Sequence, residues 1–319
     1  MITKLAVLSL KEESGEGTLT TPTVTGCLVV EDLDVKTSFD PDAVNAYSAS
    51  LSKYEDLAGN ESVTIAGKVF VKGSGYTGTG AYTEPNYGPL LRACGAHITA
   101  STSAPTGAAS AMDIMPAPDP NAKSYSALVN INGKQYLAAG VRGDGGFEMV
   151  VGRGIRFAFT LQGALYSITG AAILTPSGLN TTIPPVFHKG STAFTYDNYE
   201  ALISRLTLNL GNKVEPNTSP NATYGIVSYV ITDRDARGEM DAREVATATY
   251  NIHSQTRAND KNVLTFKIGS ARGNYVEFYG PSVQLTDYSP GDRNGLLVAN
   301  TPLKYCRSTG NDEWRIRLS

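Results

Sequence analysis

Strict alternation of apolar and polar residues recurs along most of the chain, and it limits the fold more than any other feature. Residues 62–72 (SVTIAGKVFVK) set Val63, Ile65, Val69 and Val71 on one side of an extended backbone. A two-residue period means a strand with one buried face and one wet or partner-facing face. Residues 28–36 do the same through Leu33 and Val35, with charges between them. Residues 125–138 (YSALVNINGKQYLA) form two short runs around Asn132-Gly133. An Asn-Gly pair tolerates positive φ at both positions, so it predicts a tight hairpin. Residues 143–165 carry a second hairpin: Phe147, Met149 and Val151, then Gly152-Arg153-Gly154, then Ile155, Phe157, Phe159 and Leu161.

The alternation starts again further on. Residues 202–210, 224–233, 263–268, 275–278 and 283–285 read as strands, and residues 312–318 close with Trp314, Ile316 and Leu318 on one face. Two helices are expected. In residues 86–95 (NYGPLLRACG), Pro89 sits near a start and Gly95 at an end, with Leu90, Leu91 and Cys94 inward. Residues 240–255 bring Val245, Thr249 and Ile252 to helical spacing, with Asp241 and Glu244 in the favourable first turn. Residues 176–190, rich in Pro, Gly and Thr and containing Pro184-Pro185, read as a linker. This divides the chain into residues 1–190 and 191–319. Each half runs strand, loop, strand, helix, hairpins, final strand. Leu33-Asp34-Val35 answers Leu206-Thr207-Leu208, the Val63 strand answers the Val227 strand, and the run ending at Tyr166 answers the one ending at Tyr305.

Little here carries chemistry. Against 27 basic residues stand 30 acidic ones, so the chain lacks the basic surplus of a protein that grips nucleic acid. Cys27, Cys94 and Cys306 are far apart and form no CxxC pair, and buried reduced thiols are expected. Gly73 to Gly78 matches GxGxxG, but no helix-forming segment follows, and a loop is expected. His97, His188 and His253 lack ligand spacing. Arg142-Gly143-Asp144 lies in a hairpin and is read as a chance tripeptide. Asp233, Arg234, Asp235 and Arg237 are expected to form ion pairs rather than a catalytic carboxylate pair. No stretch reaches the roughly 18 apolar residues of a membrane span, and the apolar run from Leu5 to Leu10 is cut off by Lys11. The expectation is a soluble non-enzyme without cofactor, metal or membrane anchor.

Several segments resemble the phage tail tube (major tail protein) family. The sharpest is Tyr87-Gly88-Pro89-Leu90-Leu91-Arg92-Ala93-Cys94-Gly95, which matches that family's YGPLLRACG helix. Glu13-Ser14-Gly15-Glu16-Gly17-Thr18 before Thr21-Pro22 resembles its opening, as does Val29 through Val35. Gly140-Val141-Arg142-Gly143, Val230 through Arg234 and Gly273-Asn274 are similar to further family segments. The chain departs from the pattern where Gly163-Ala164-Leu165-Tyr166 replaces the family's TGLY.

The resemblance implies a mainly β protein of two tandem tail-tube-like β-sandwich or half-barrel domains, each with a flanking α-helix. It implies a structural role: copies pair into rings, trimeric and pseudo-hexameric or hexameric, and rings stack into a tube that delivers DNA. The lumen would be acidic or neutral, so that DNA passes without specific binding. The partners would be the chain itself, then tape measure, tail terminator and tail tip proteins, in a virion tail assembled in the host cytoplasm. Two long polar loops, residues 39–60 and 212–224, would make contacts between subunits or rings. The residues concerned are Phe39, Asp40, Asp42, Tyr47, Tyr54, Glu55, Asp56, Asn212, Lys213, Glu215, Asn217 and Asn221. The N-terminal arm, residues 1–26, would be a third contact. The competing reading is a β-sandwich binding module of a tail tip or baseplate that recognises carbohydrate.

Overall fold

The alternating segments become strands, and most of them join one antiparallel sheet. The computed structural model describes residues 6–24, 27–44, 52–78, 82–101, 110–172, 174–190 and 192–319. The first half holds β1 (Ala6–Glu12), β2 (Glu31–Phe39), β3 (Glu61–Phe70), α1 (Gly88–Ala93), β4 (Ala96–Ala100), β5 (Met112–Pro116), β6 (Tyr125–Ile131), β7 (Lys134–Val150) and β8 (Arg156–Gly170). The second holds β9 (Thr192–Tyr196), β10 (Arg205–Asn209), β11 (Asn212–Thr218), β12 (Ile226–Arg234), β13 (Arg237–Arg243), α2 (Ile252–Ala258), β14 (Lys261–Ile268), β15 (Val276–Leu285), β16 (Ser289–Arg293), β17 (Leu296–Tyr305) and β18 (Arg315–Leu318).

Both expected hairpins form. Asn132 and Gly133 take φ of 48° and 86° and bring Ile131 opposite Lys134. The Gly152-Arg153-Gly154 turn brings Glu148 opposite Arg156. The first helix also forms, with Leu90, Leu91 and Cys94 buried. Burial pushes the Cys94 thiol well above its usual pKa, so it stays protonated and packs as a small apolar group.

The long sheet turns from one layer into a second. One layer runs β2-β3-β8-β7-β10-β13-β17, with β16 on the far side of β17. At Val283–Leu285 the pairing passes from β17 to β15, and then to β18, β5 and β4. Aromatic rings fill the space between the layers. Phe147 of β7 lies 5.8 Å from Trp314 and 4.8 Å from Phe157, and Phe278 lies 6.1 Å from Tyr305.

Sheet and core are continuous across residue 190. β7 pairs with β10, and β5 pairs with β18, where Arg317 and Asp113 form a 2.6 Å ion pair. One apolar cluster includes Leu8, Phe157, Leu206 and Leu318. Residues 176–190 are packed rather than spanning open space. Phe187 is buried, Gly154 bridges Val186, and the Lys72 ammonium donates to the carbonyls of Asn180 and Thr182. The GxGxxG segment is a loop closed against the second half. Gly73 N–H donates to the Asn274 side chain, and a Cβ at Gly73 would stand 2.0 Å from the Gly273 carbonyl oxygen.

Three expectations are corrected. Residues 240–243 belong to β13, not to a helix, and α2 begins only at Ile252, where Asn251 caps it by accepting the Ser254 N–H. Gly238, Met240 and Ala242 are buried between exposed Arg237, Glu239 and Arg243, so the period-two pattern prevails over the weaker helical one. Residues 275–278 and 283–285 are parts of one strand, β15, not two. Residues 212–224 are not one loop. Residues 212–218 form β11, which pairs with β12 in a separate two-stranded ribbon and leaves only residues 219–225 as the connection.

Candidate assembly interface

The layer β2-β3-β8-β7-β10-β13-β17-β16 has one buried face and one wet face. Inward side chains include Val35, Ile65, Phe157, Phe147, Leu206 and Met240. The residues between them carry charge, and the charges pair from strand to strand, between neighbours or across one intervening strand. Arg156 meets Glu31 at 2.7 Å, Lys68 meets Glu148 at 3.1 Å, Arg205 meets Glu239 at 2.7 Å and Arg293 meets Asp241 at 2.8 Å. At the end of β13, Asp235 receives Arg237 at 2.7 Å and Lys304 at 3.6 Å. On β2, Lys36 meets Asp34 at 3.3 Å. Exposed pairs of this kind add little stability. Their consequence is a broad wet surface with both signs locally balanced.

Asp241 is the most heavily bonded carboxylate on this face. It accepts from Ser204 Oγ, from the Ser204 and Arg205 N–H groups at 2.8 and 2.7 Å, and from Arg293. Burial pushes its pKa up, but these hydrogen bonds outweigh it and hold the folded carboxyl below the usual range. A depressed folded pKa contributes stability that is present above the unfolded value and lost as pH falls through the folded one. Urea midpoints should therefore drop below about pH 4, and Asp241→Asn should flatten that drop. Equal slopes for the two proteins would refute this role.

The layer ends in two strands with a free side. Among the described residues, β2 pairs only with β3, and β16 pairs only with β17. Both carry devices that discourage indiscriminate pairing. β2 bears Glu31, Asp32, Asp34 and Lys36, with Asp32 in the left-handed region (φ 53°) at a bulge; β16 contains Pro290.

The two ends of the strands differ. At one end lie the loop after β2 and the tip of the β11–β12 ribbon. Phe39, Asp40, Asp42, Tyr54, Glu55 and Asp56 are exposed there, and Asp42 and Leu57 exchange 2.9 Å backbone hydrogen bonds across the loop base. Tyr47 lies outside the described residues. The ribbon tip reaches the same place: Glu61 N–H donates to the Tyr224 carbonyl, and Tyr224 packs edge-on to Tyr166. Lys213, Glu215, Asn217 and Asn221 sit on this ribbon, with Lys213 and Glu215 paired at 3.1 Å.

Asn212 does not belong with them. It is buried, and its amide donates to the carbonyls of Cys94 and Gly143, so it ties the ribbon to α1 and β7 inside one molecule. The described part of the N-terminal arm is likewise built into its own chain. β1 pairs with β6, and buried Glu13 accepts from Ser124, Ser126, Gly17 N–H and Gly140 N–H.

At the opposite end the strands finish on exposed apolar residues that the sequence reading missed: Val29, Val151, Leu202, Leu296 and Leu297. Backbone hydrogen bonds link Val151 to Ser204, Arg243 to Leu202 and Glu244 to Leu297, so Val151, Leu202 and Leu297 form one rim. It continues into a groove of about 280 Å³ beside Phe187, Phe194 and Ile203. The available signal was the break in alternation at the doublets Leu202-Ile203 and Leu296-Leu297.

The sharper motifs have structural roles. Arg142 of the Arg-Gly-Asp tripeptide is buried and donates to the carbonyls of Val141 and Asn121. Arg234 pairs with Glu313 at 3.0 Å. No group of three or more His, Cys, Asp or Glu among the described residues is placed to hold a metal ion. No helix among them is long and apolar enough to cross a membrane. No protein-family model matches the chain, and no curated protein matches it.

Proposed function

We propose that this chain is the structural subunit of a phage-type tail tube, closing with copies of itself into rings that stack around a lumen for DNA. The observation that carries this reading is the eight-stranded layer with a free strand on each side and a charge-balanced wet face between. A free edge is a pairing hazard that closure into a barrel removes. The two edges differ, so the contact is head-to-tail, and a head-to-tail contact whose rotation closes makes a ring. A lining that carries both signs in neighbouring pairs offers a phosphate backbone no net attraction to hold it. It is neutral through pairing, not acidic.

The layer also supports a tandem reading. Its first four strands run β2-β3-β8-β7, and its last four run β10-β13-β17-β16. Each set places its first, second, fourth and third strands side by side. In each, the second strand is followed by a helix and a hairpin: α1 with β4–β5, and α2 with β14–β15. On this comparison β3 answers β13, not the strand around Val227. Six such units make a six-fold ring from three copies. About 24 strands spaced ~4.8 Å apart and tilted ~40° close a barrel roughly 45–50 Å across. Tape measure, terminator and tip proteins would meet the tube at its ends.

Stacking would use the two strand ends. The apolar rim at Val151, Leu202 and Leu297 faces along the strands away from the loop that carries Phe39, Tyr54 and Leu57. An exposed apolar row of this kind marks an interaction surface. Leu202→Asp with Leu297→Asp should leave rings intact by light scattering and shorten tubes in micrographs at least several-fold. Tubes of unchanged length would remove the rim from the interface. A wild-type protein that stays monomeric by light scattering at high concentration would end the reading as a whole.

A further inference from the structure

The chain contains one junction between its two four-stranded sets, β7 against β10, and this junction specifies how two copies meet. We infer that β16 of one copy pairs antiparallel with β2 of the next in the register that β7 and β10 already use, with Arg293 opposite Glu31, Gly291 opposite Asp34 and Ser289 opposite Lys36. The inference rests on the ring reading above.

The register follows from the ladders on either side. In the first set Lys68 of β3 faces Ala158 of β8, and Ala158 faces Gly146 of β7. In the second set Asp241 of β13 faces Asn300 of β17, and Asn300 faces Ser289 of β16. β7 ends at Val150 and β16 at Arg293, each at the turn into the next strand; with these two ends matched, Gly146 is equivalent to Ser289 and Lys68 to Asp241. One step on, Glu148 faces Arg156 and Gly291 faces Val298, so Glu148 is equivalent to Gly291 and Val150 to Arg293.

The other edge is placed in the same way. Lys36 faces Thr64, four residues before Lys68, and Asn209 faces Arg237, four residues before Asp241. Lys36 is then equivalent to Asn209. Asp34 faces Ala66, two residues before Lys68, and the β10–β13 ladder, with Leu206 opposite Met240, sets Thr207 opposite Glu239, two residues before Asp241, which makes Asp34 equivalent to Thr207. Beyond the bulge in β2, Glu31 facing Lys68 is equivalent to Arg205. Within the chain Arg205 faces Val150, Thr207 faces Glu148 and Asn209 faces Gly146. Transferring these three pairs to the free edges gives the stated register.

The transferred pairs are compatible in chemistry. Arg293 and Glu31 have opposite charge, and the one like-charge approach, Asp292 to Asp32, falls at the bulge of β2. On the inward side Pro290 comes opposite Val35, where the internal junction sets Phe147 opposite Leu208. A ring so closed continues the wet face from one copy to the next without a step in register.

Cysteine pairs read the register directly. In a Cys306→Ser background, two in-register variants are made: Ser289→Cys with Lys36→Cys, and Arg293→Cys with Glu31→Cys. A shifted variant carries Ser289→Cys with Asp34→Cys. The first pair removes only one exposed ion-pair member, which protects the test if the second folds poorly. Positions 31–36 and 289–293 lie on opposite edges of one molecule, so a disulfide between them joins two copies. After mild oxidation, in-register pairs should give covalent oligomers on denaturing gels at least ten-fold in excess of the shifted pair. Rings present by light scattering with the shifted pair linking equally well, or with no pair linking, would overturn the register and leave the ring reading standing. Absence of any oligomer by light scattering would overturn both.

Discussion

Trp314→Ala is expected to lower stability by about 3–5 kcal/mol, near the upper limit for a single truncation in a protein core. The indole is only 1% exposed and leads into β18, the strand that joins β15 to β5 within the second layer. Its ring meets Phe147 of the charge-bearing layer at 5.8 Å, and Phe147 in turn meets Phe157 at 4.8 Å. Removing it opens a void where the two layers face one another, and close-packed neighbours relax only partly into such a space. Trp314→Phe retains a ring at the site and should cost less than half as much. Guanidinium unfolding of both variants checks the pair. A loss under about 1 kcal/mol for Trp314→Ala would mean that the layers do not share this core.

Glu13→Ala is expected to cost about 3 kcal/mol and to loosen the N-terminal strand selectively. Glu13 is 6% exposed and accepts four hydrogen bonds, from Ser124 Oγ at 2.5 Å, Ser126 Oγ at 2.8 Å, Gly140 N–H at 2.8 Å and Gly17 N–H at 2.9 Å. Truncation leaves four donors facing a space with no acceptor, and an unpaired buried donor costs more than its hydrogen bond contributes. The residues it fastens are local to β1, β6 and the bulge of β7 near Gly140, so the damage should be local as well. Hydrogen exchange should speed up by two orders of magnitude or more in residues 6–17 and 124–130, with little change in β13 or β17. Uniform acceleration along the chain would contradict this, as would Glu13→Gln matching the wild type.

The parts of the fold legible in the sequence are those written in local patterns. Asn132-Gly133 marked a turn because few other residues accept positive φ twice in succession. Pro89 and Gly95 bracketed α1, and Trp314, Ile316 and Leu318 displayed the inward face of the last strand. β13 was misread because its inward positions are Gly238, Met240 and Ala242, two of them small, so its alternation carries little hydrophobic contrast. Gly238 is small for a reason visible only in three dimensions: a Cβ there would stand 1.9 Å from the Thr207 carbonyl oxygen. β11 was misread because a two-stranded ribbon lying over the surface buries little and needs few apolar residues.

The exposed loop residues Phe39, Tyr54 and Asp56 could be named from their polar, unpatterned surroundings. Asn212, in the same kind of surroundings, is buried against Cys94 and Gly143, and nothing in its neighbours along the chain announces that. Pairings across residue 190 left no local trace either. β7 against β10 and β5 against β18 depend on long-range register. It was the repeated strand order, not sequence similarity between the halves, that made the internal junction readable as a guide to the external one.

Electron microscopy of the purified protein tests the central claim most directly. Negatively stained preparations at high concentration should contain rings or stacked tubes with a stain-filled centre, and end-on averages should show six-fold modulation from three copies per ring. A field of solid, uniform particles the size of one chain, unchanged as concentration rises, would contradict it.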